Sequence, residues 1–117
     1  MIYYARPYSY NPKEATERYT VEAEKLYKIT GHFVVCTIPL SCYEMEASDG
    51  LEQQVFRVAA SMIKDCDVFI YKGDSDGVRY ERSIAAENNI PSFQYNEFIK
   101  SILDEDGGQR GWYKKNE

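Results

Sequence analysis

Residues 66–81 of the chain have the sequence CDVFIYKGDSDGVRYE, and this stretch determines the predicted fold. Val68–Tyr71 is an apolar and aromatic run without polar alternation, which is typical of a strand in the middle of a parallel sheet. The turn after it contains two glycines and a serine, and a helix is expected from Asp76 to about Asn88. A buried strand, a short turn and a helix together predict one β-α unit of an α/β protein.

Three further runs are predicted to be strands because they are rich in β-branched and aromatic residues. Met1–Ala5 is the first of these runs, and Phe33–Ile38 is the second. Pro39 ends the second run, since proline cannot donate a hydrogen bond to a neighbouring strand. Pro91–Tyr95 is a short fourth strand. The sequence therefore predicts four strands in all.

Helix signals separate the predicted strands. Asn11–Pro12 supplies a capping residue followed by proline at the first helical position, and Gly31 is expected to end this first helix. Ser48 or Asp49 is the expected cap of the second helix, and Asn96 is the expected cap of the last one. The predicted order is thus β-α-β-α-β-α-β-α.

This alternation predicts an α/β fold, namely a Rossmann-like or flavodoxin-like three-layer sandwich with a mostly parallel sheet of four or five strands. A chain of 117 residues has the common size of one domain. We therefore expect a single domain over residues 1–105. Residues 106–117 are expected to form a polar C-terminal tail that contains Trp112.

Charge and composition exclude several classes of function. Nineteen acidic and fourteen basic residues give a net charge of −5, which argues against binding to a nucleic-acid polymer. A single mononucleotide is not excluded, because backbone N–H groups can hold its phosphate. No apolar run is long enough to span a bilayer, and Met1–Pro7 does not resemble a secretory signal. A cytoplasmic protein without a membrane partner is expected.

The thiols and the single histidine do not suggest a metal site. Cys36, Cys42 and Cys66 are odd in number and form no CxxC pair. Cys36 and Cys66 lie beside predicted strands and are expected to be buried, reduced thiols. His32, the only histidine, follows a helix-ending glycine, where a solvated position or one facing the helix dipole is the default. We therefore expect no metal and no cofactor.

Ligands of parallel α/β proteins bind beyond the carboxyl ends of the strands, where the strand order reverses. This rule indicates Arg6–Tyr10, the loop after Ile38, and Lys72–Gly77. Gly77 allows close approach of backbone to a ligand, and the hydroxyl of Ser75 can bind an anion beside the N–H groups of the helix start. In the alternative interpretation, Ser75 or Asp76 simply caps the helix.

Glu81 lies one helical turn beyond Gly77, so its side chain is expected to point back towards the turn. A carboxylate at that position can attack or stabilise an electron-poor carbon. In the alternative interpretation, Glu81 is an ordinary first-turn glutamate that the helix dipole favours.

The stretch SDGVRYE at Ser75–Glu81, with Ala85–Ala86 and Asn89–Pro91 after it, resembles the nucleoside 2-deoxyribosyltransferase superfamily. The similarity is to the branch of 2′-deoxynucleoside 5′-monophosphate N-glycosidases and their small, often phage-encoded, relatives. The resemblance covers nearly the whole chain in element order, and the segment Ser75–Glu81 is its specific part. The other matching positions are Tyr3, Ala5, Pro7, Cys66 and Asp67.

The resemblance implies that Glu81 is a nucleophile that attacks C1′ of a deoxyribose, after which water or a second base releases the sugar. It also implies that Ser75 and Gly77 hold the 5′-phosphate, while Tyr3 and the loop from Arg6 line the sugar and base. The relatives are dimers or larger, so a homo-oligomer is expected. The substrate-binding residues implied in this way are Tyr3, Ala5, Arg6, Pro7, Ser75, Asp76, Gly77 and Val78.

The sequence departs from this family at one position. In the glycosidases, an Ala-Asp or Cys-Asp pair opens the third strand, and an acid lies about two helical turns before this pair. The matching pair here is Cys66–Asp67, and counting back eight residues from Asp67 gives Ala59. Glu44, Glu46 or an acid of a partner subunit would have to replace it. A catalytically inactive protein that binds and sequesters a nucleotide-like signal is therefore the alternative function. A third hypothesis is a regulatory or interaction domain in which Ser75–Glu81 is only a capped helix.

Overall fold

The computed structural model of the protein describes residues 1–7, 12–36 and 49–104. The described residues form four strands and four helices that alternate along the chain. These elements are β1 (Ile2–Ala5), α1 (Pro12–Thr30), β2 (Val34–Val35), α2 (Asp49–Asp65), β3 (Val68–Tyr71), α3 (Asp76–Glu87), β4 (Ser92–Gln94) and α4 (Tyr95–Asp104).

The four strands form one parallel sheet in the order β2-β1-β3-β4. β1 lies between β2 and β3, with Tyr3 opposite Val35 on one side and Phe69 on the other. Helices cover both faces of this sheet, so the protein is an α/β three-layer sandwich with a Rossmann-like or flavodoxin-like arrangement. The predicted fold class is confirmed.

Side chains of neighbouring residues in β1 point to opposite faces and enter two separate cores. Tyr4 packs in one core with Leu26 of α1 and Phe98 of α4. Tyr3 packs in the other core with Ile63 of α2 and with residues of α3. The sheet therefore separates an α1/α4 face from an α2/α3 face, and this separation decides which candidate residues meet.

The ends of α1 agree with the sequence signals that lie within the described residues. Pro12 is its first residue, and Gly31 follows it with φ +75° while donating its N–H to the carbonyl of Tyr27 at 2.7 Å. This is the left-handed closure that glycine favours at helix ends. Asn11, the expected cap, lies outside the described residues.

The predicted strand Phe33–Ile38 is shorter in the structure, where β2 covers only Val34–Val35. In the described sheet β2 is an edge strand, and the side chain of Phe33 before it is 69% exposed. An apolar run at an edge lacks the second neighbour that would extend its pairing. Residues 37 and 38 lie outside the described part of the chain.

The expectation that Asn96 caps the last helix is wrong. α4 begins at Tyr95, directly after β4, and the side-chain oxygen Oε1 of Gln94 accepts the backbone N–H of Glu97 at 2.9 Å. The cap therefore comes from the last strand residue, because the chain passes from β4 into α4 without a loop.

Cys66 is buried and Cys36 is half-buried, while Cys42 lies outside the described residues. His32 is half-buried, and its backbone N–H donates to Oγ1 of Thr30 at 3.1 Å. Within the described ranges, no helix has the length and apolar character needed to cross a membrane. The tail with Trp112 is not among the described residues.

Candidate functional site

The loops that follow β1 and β3 lie side by side at the point where the strand order reverses. Ala5 is paired with Tyr71, and the N–H of Lys72 donates to the carbonyl of Ala5 at 2.9 Å. Gly73 has φ +79°, and a Cβ there would lie 3.1 Å from Cδ of Pro7. The two loops are therefore packed against each other, and the turn requires glycine.

Glu81 and Tyr3 meet on the α2/α3 face. Tyr3 is fully buried and stacks on Phe69 with ring centroids 5.6 Å apart, and its hydroxyl donates a hydrogen bond to Oε2 of Glu81. Burial raises the pKa of Glu81 to about 7, and the hydrogen bond from Tyr3 opposes this rise. A half-buried carboxyl that titrates near neutral pH is typical of functional sites.

The arginines on either side of Glu81 in the sequence bind elsewhere. Arg79 donates to the carboxylates of Asp74 and Asp76 at 2.6 Å each. The guanidinium of Arg82 lies over the ring of Tyr71, 4.1 Å from its centroid. Glu81 is therefore turned inwards to Tyr3, whereas a glutamate paired with Arg79 or Arg82 would face away.

The turn before α3 is a capped helix start, as the alternative interpretation expected. Ser75 is the N-cap, and its Oγ accepts the N–H of Val78 at 3.1 Å. The side chain of Val78 is buried in the α2/α3 core, and Asp76 is fully exposed. At Gly77, the nearest atom to an added Cβ is Oγ of Ser75 at 3.8 Å, so the space beside it is open.

A cavity of about 450 Å³ lies between α2 and α3, next to the start of α3. Its volume is in the range of small-molecule sites. The ring of Phe56 on α2 meets the ring of Tyr80 on α3 edge-on, with centroids 5.3 Å apart. The described residues that line the cavity are Phe56, Arg57, Ala60, Asp76, Gly77 and Tyr80.

A polar network that sequence reasoning missed lies on the opposite face of the sheet. Arg6 donates to Oε1 of Glu22, Lys72 binds Oε2 of Glu22 at 2.7 Å, and the hydroxyl of Tyr4 donates to Oε1 at 2.9 Å. Burial and the Glu22 carboxylate both raise the pKa of Tyr4. The side chain of Glu22 is only 13% exposed. The alternating charges of residues 14–28 are typical of a solvated helix face, and Glu22 does not belong to such a face.

The predicted site residues are divided between these places. Tyr3 and Glu81 touch, with Ala5 and Val78 in the core beneath them, while Ser75, Asp76 and Gly77 form the start of α3. Pro7 packs on Gly73, and the guanidinium of Arg6 is directed to Glu22 on the other face. Ala59, at the expected place of the acid, is buried in the α2/α3 core.

No protein-family model matches the sequence, and no curated protein does. Among the described residues, no group of His, Cys, Asp and Glu side chains is placed to hold a metal ion. The geometry around Glu81 is therefore the feature of the molecule that indicates a function.

Proposed function

We propose that the protein is an N-glycosidase or base-exchange deoxyribosyltransferase that acts on deoxynucleosides or their 5′-monophosphates. The observation that supports this proposal is the inward-facing carboxyl of Glu81, which Tyr3 holds by a hydrogen bond and which none of the arginines in the described part of the chain neutralises by an ion pair. A buried carboxyl that remains unpaired with a cation keeps its nucleophilic oxygen for a substrate.

In the proposed reaction, one carboxylate oxygen of Glu81 attacks C1′ of the deoxyribose. The C1′–N bond breaks, and the base leaves with its electron pair and takes up a proton. Water then attacks C1′ of the glycosyl ester, so that the free sugar is released and the carboxylate is regenerated. A second base in place of water gives base exchange. The hydroxyl of Tyr3 orients the carboxylate as it attacks in the first step and donates a hydrogen bond to it as it leaves C1′ in the second.

The start of α3 is suited to the phosphate of a monophosphate substrate. The first-turn N–H groups of a helix lack partners within the helix and attract anions. Ser75 already accepts the N–H of Val78, so the remaining donors at Asp76 and Gly77 are the ones assigned to this role. The open space beside Gly77 lets a ligand approach this backbone.

One observation favours the alternative of a nucleotide-binding protein without catalysis. Ala59 stands where the resemblance implies an acid that positions the sugar or protonates the leaving base, and Ala59 is buried in the core. A protein without that acid can hold a nucleotide and still fail to cleave it. Glu44 and Glu46, the substitutes considered above, lie outside the described residues.

Incubation with the deoxynucleosides and their 5′-monophosphates, followed by chromatography of the free base, tests the proposal. We expect release of base by the unaltered protein and its loss in Glu81→Gln. Glu87→Gln, an exposed change on the same helix, is the matched control and is expected to retain the activity. If no base is released while a nucleotide raises the melting temperature, the alternative is correct.

A further inference from the structure

Arg57 lies in the wall of the α2/α3 cavity without an ionic partner among the residues that the structure describes. The other described arginines each bind a carboxylate or an aromatic ring. These pairs are Arg6 with Glu22, Arg18 with Glu14, Arg79 with Asp74 and Asp76, and Arg82 with Tyr71. An unpaired guanidinium in a cavity wall is suited to bind an anion, because its planar donors match two oxygen atoms of a phosphate.

The same cavity presents aromatic surface. Phe56 precedes Arg57 on α2 and is 37% exposed, and Tyr80 on α3 is 46% exposed. The two rings meet edge-on at an interplanar angle of 66°, which leaves part of each ring open to a ligand. Stacking on such rings holds a nucleobase whatever its identity, since every base has a π face.

The acidic side chain in the described wall of this cavity is bound by a neighbouring arginine. Asp76 borders it, but its carboxylate is bound by the guanidinium of Arg79 at 2.6 Å. Gly77 adds the backbone of the first turn of α3, where the helix dipole also favours an anion. Arg79 also binds Asp74 and does not cancel both carboxylates, but Arg57 is the cation of the described cavity wall that has no ionic partner among the described residues.

We propose that this cavity is the binding subsite for an aromatic ring that carries a phosphate, with Arg57 bound to the phosphate and Phe56 and Tyr80 packed on the ring. The ligand class is the nucleoside 5′-monophosphate, so the subsite selects monophosphates over nucleosides. The choice of a nucleotide rests on the proposed function, whereas the subsite itself rests on the residues of the cavity.

Calorimetric titration of the Glu81→Gln protein with the four deoxynucleoside 5′-monophosphates and the four matching nucleosides tests this subsite without turnover. We expect at least one monophosphate to bind about tenfold more tightly than its nucleoside, because a charge-assisted phosphate contact contributes on this scale. Adding Arg57→Gln removes that preference and leaves nucleoside binding unchanged. Adding Phe56→Ala weakens both ligands by about tenfold.

Lys64→Gln is the matched control, since it removes one exposed positive charge from the same helix away from the cavity. It is expected to leave all affinities unchanged. The inference is overturned if no monophosphate binds more tightly than its nucleoside, or if the preference survives Arg57→Gln. Failure of the unaltered protein to release base would overturn the proposed function alone, since these titrations measure binding and not cleavage.

Discussion

At the scale of single residues, the contact between Tyr3 and Glu81 gives the site its chemical character. Burial opposes ionisation of the carboxyl, and the hydroxyl of Tyr3 favours it, with the result that the pKa of Glu81 lies at about 7. At neutral pH, both the protonated and the ionised form are then populated. The carboxylate form is the nucleophile, so the role of Glu81 is readable from a pH profile.

We predict that kcat/KM for base release rises with pH through about 7, as the carboxylate of Glu81 forms. Tyr3→Phe removes the hydrogen bond that lowers this pKa, and the rise should therefore move to higher pH. Rates measured from pH 5 to 9 for both proteins check this. A rate that falls through the same range would assign Glu81 the role of a general acid instead.

The same titration is predicted to affect stability. The folded-state pKa of Glu81 lies above its ordinary value of 4.5, so the folded state binds the proton more tightly than the unfolded state does. The stabilisation is complete below pH 4.5 and is lost as the pH rises through about 7, by up to about 3 kcal/mol. Urea unfolding should show this loss in the unaltered protein relative to Glu81→Gln. Parallel stability profiles of the two proteins would contradict it.

Gly73 and Gly77 lie four residues apart and differ in backbone conformation, which gives a third prediction at this scale. Gly73→Ala forces a side chain into a left-handed conformation against Pro7 and should cost about 1–2 kcal/mol in the free energy of unfolding. Gly77→Ala, in open space within α3, should stabilise the protein by up to about 1 kcal/mol. Denaturant unfolding measures both, and equal effects would be inconsistent with this geometry.

Sequence reasoning at this scale succeeded where helical geometry governs position. The spacing of Gly77 and Glu81 predicted that the carboxyl points back towards the turn before α3, and in the structure it accepts a hydrogen bond from Tyr3 of β1. Arg6 was placed beside the same ligand, but its guanidinium lies on the opposite face. Successive side chains of a strand point to opposite faces of the sheet, so Arg6 lies on the same face as Tyr4 and on the opposite face from Tyr3 and Ala5. Ligand binding by Arg6 stays a prediction.

At the scale of elements, the ion pairs of Glu22 join α1 to the carboxyl end of the sheet. Its carboxylate forms ion pairs with Arg6, which follows β1, and with Lys72, which follows β3. Tyr19 and Leu26, three residues before and four after, face the core, so the helical period already placed Glu22 on the buried side. The position of the charged Glu22 within the apolar stripe of α1 was the signal that sequence reasoning did not use.

We predict that Glu22→Gln destabilises the protein by roughly 3–5 kcal/mol, because the half-buried guanidinium of Arg6 loses its counter-charge. Glu24→Gln is the matched control on the same helix, since Glu24 pairs with Lys28 at the exposed surface. It should leave the free energy of unfolding unchanged. Equal losses in the two variants would show that the Glu22 network contributes no more than a surface ion pair.

The ends of elements were harder to predict than their existence. Val68–Tyr71 and the start of α3 at Asp76 followed from a continuous apolar run and from a capping serine. Asn96 is a better capping type than Gln94, yet Gln94 caps α4, because β4 leads straight into the helix. Residue preferences alone carry no information on where a strand stops pairing.

At the scale of the whole molecule, the sheet order β2-β1-β3-β4 brings the ends of β1 and β3 together. The alternation of strands and helices, read from the sequence, predicted a parallel sheet with both faces covered. The assignment of Tyr3 and Arg6 to different faces depends on this layered arrangement. Sequence patterns predicted the layers of the fold, whereas the side-chain contacts between the layers could be identified only in the structure.

Hydrogen exchange tests this arrangement. β3 has a strand on either side and is buried on both faces, whereas β2 is a half-buried edge strand of two residues in the described sheet. We predict that amides of Phe69 and Ile70 exchange slowest and that those of β2 exchange much faster. Comparable protection of β2 and β3 in an NMR exchange series would contradict the strand order.

The central claim is that Glu81 attacks C1′ of a deoxyribose, and intact-protein mass spectrometry after rapid mixing with a deoxynucleoside 5′-monophosphate tests it most directly. We predict a deoxyribose phosphate adduct that maps to Glu81 by peptide analysis and is absent in Glu81→Gln. Base release that proceeds without an adduct and with inverted configuration at C1′ would contradict it, because a single displacement by water requires no nucleophile from the protein.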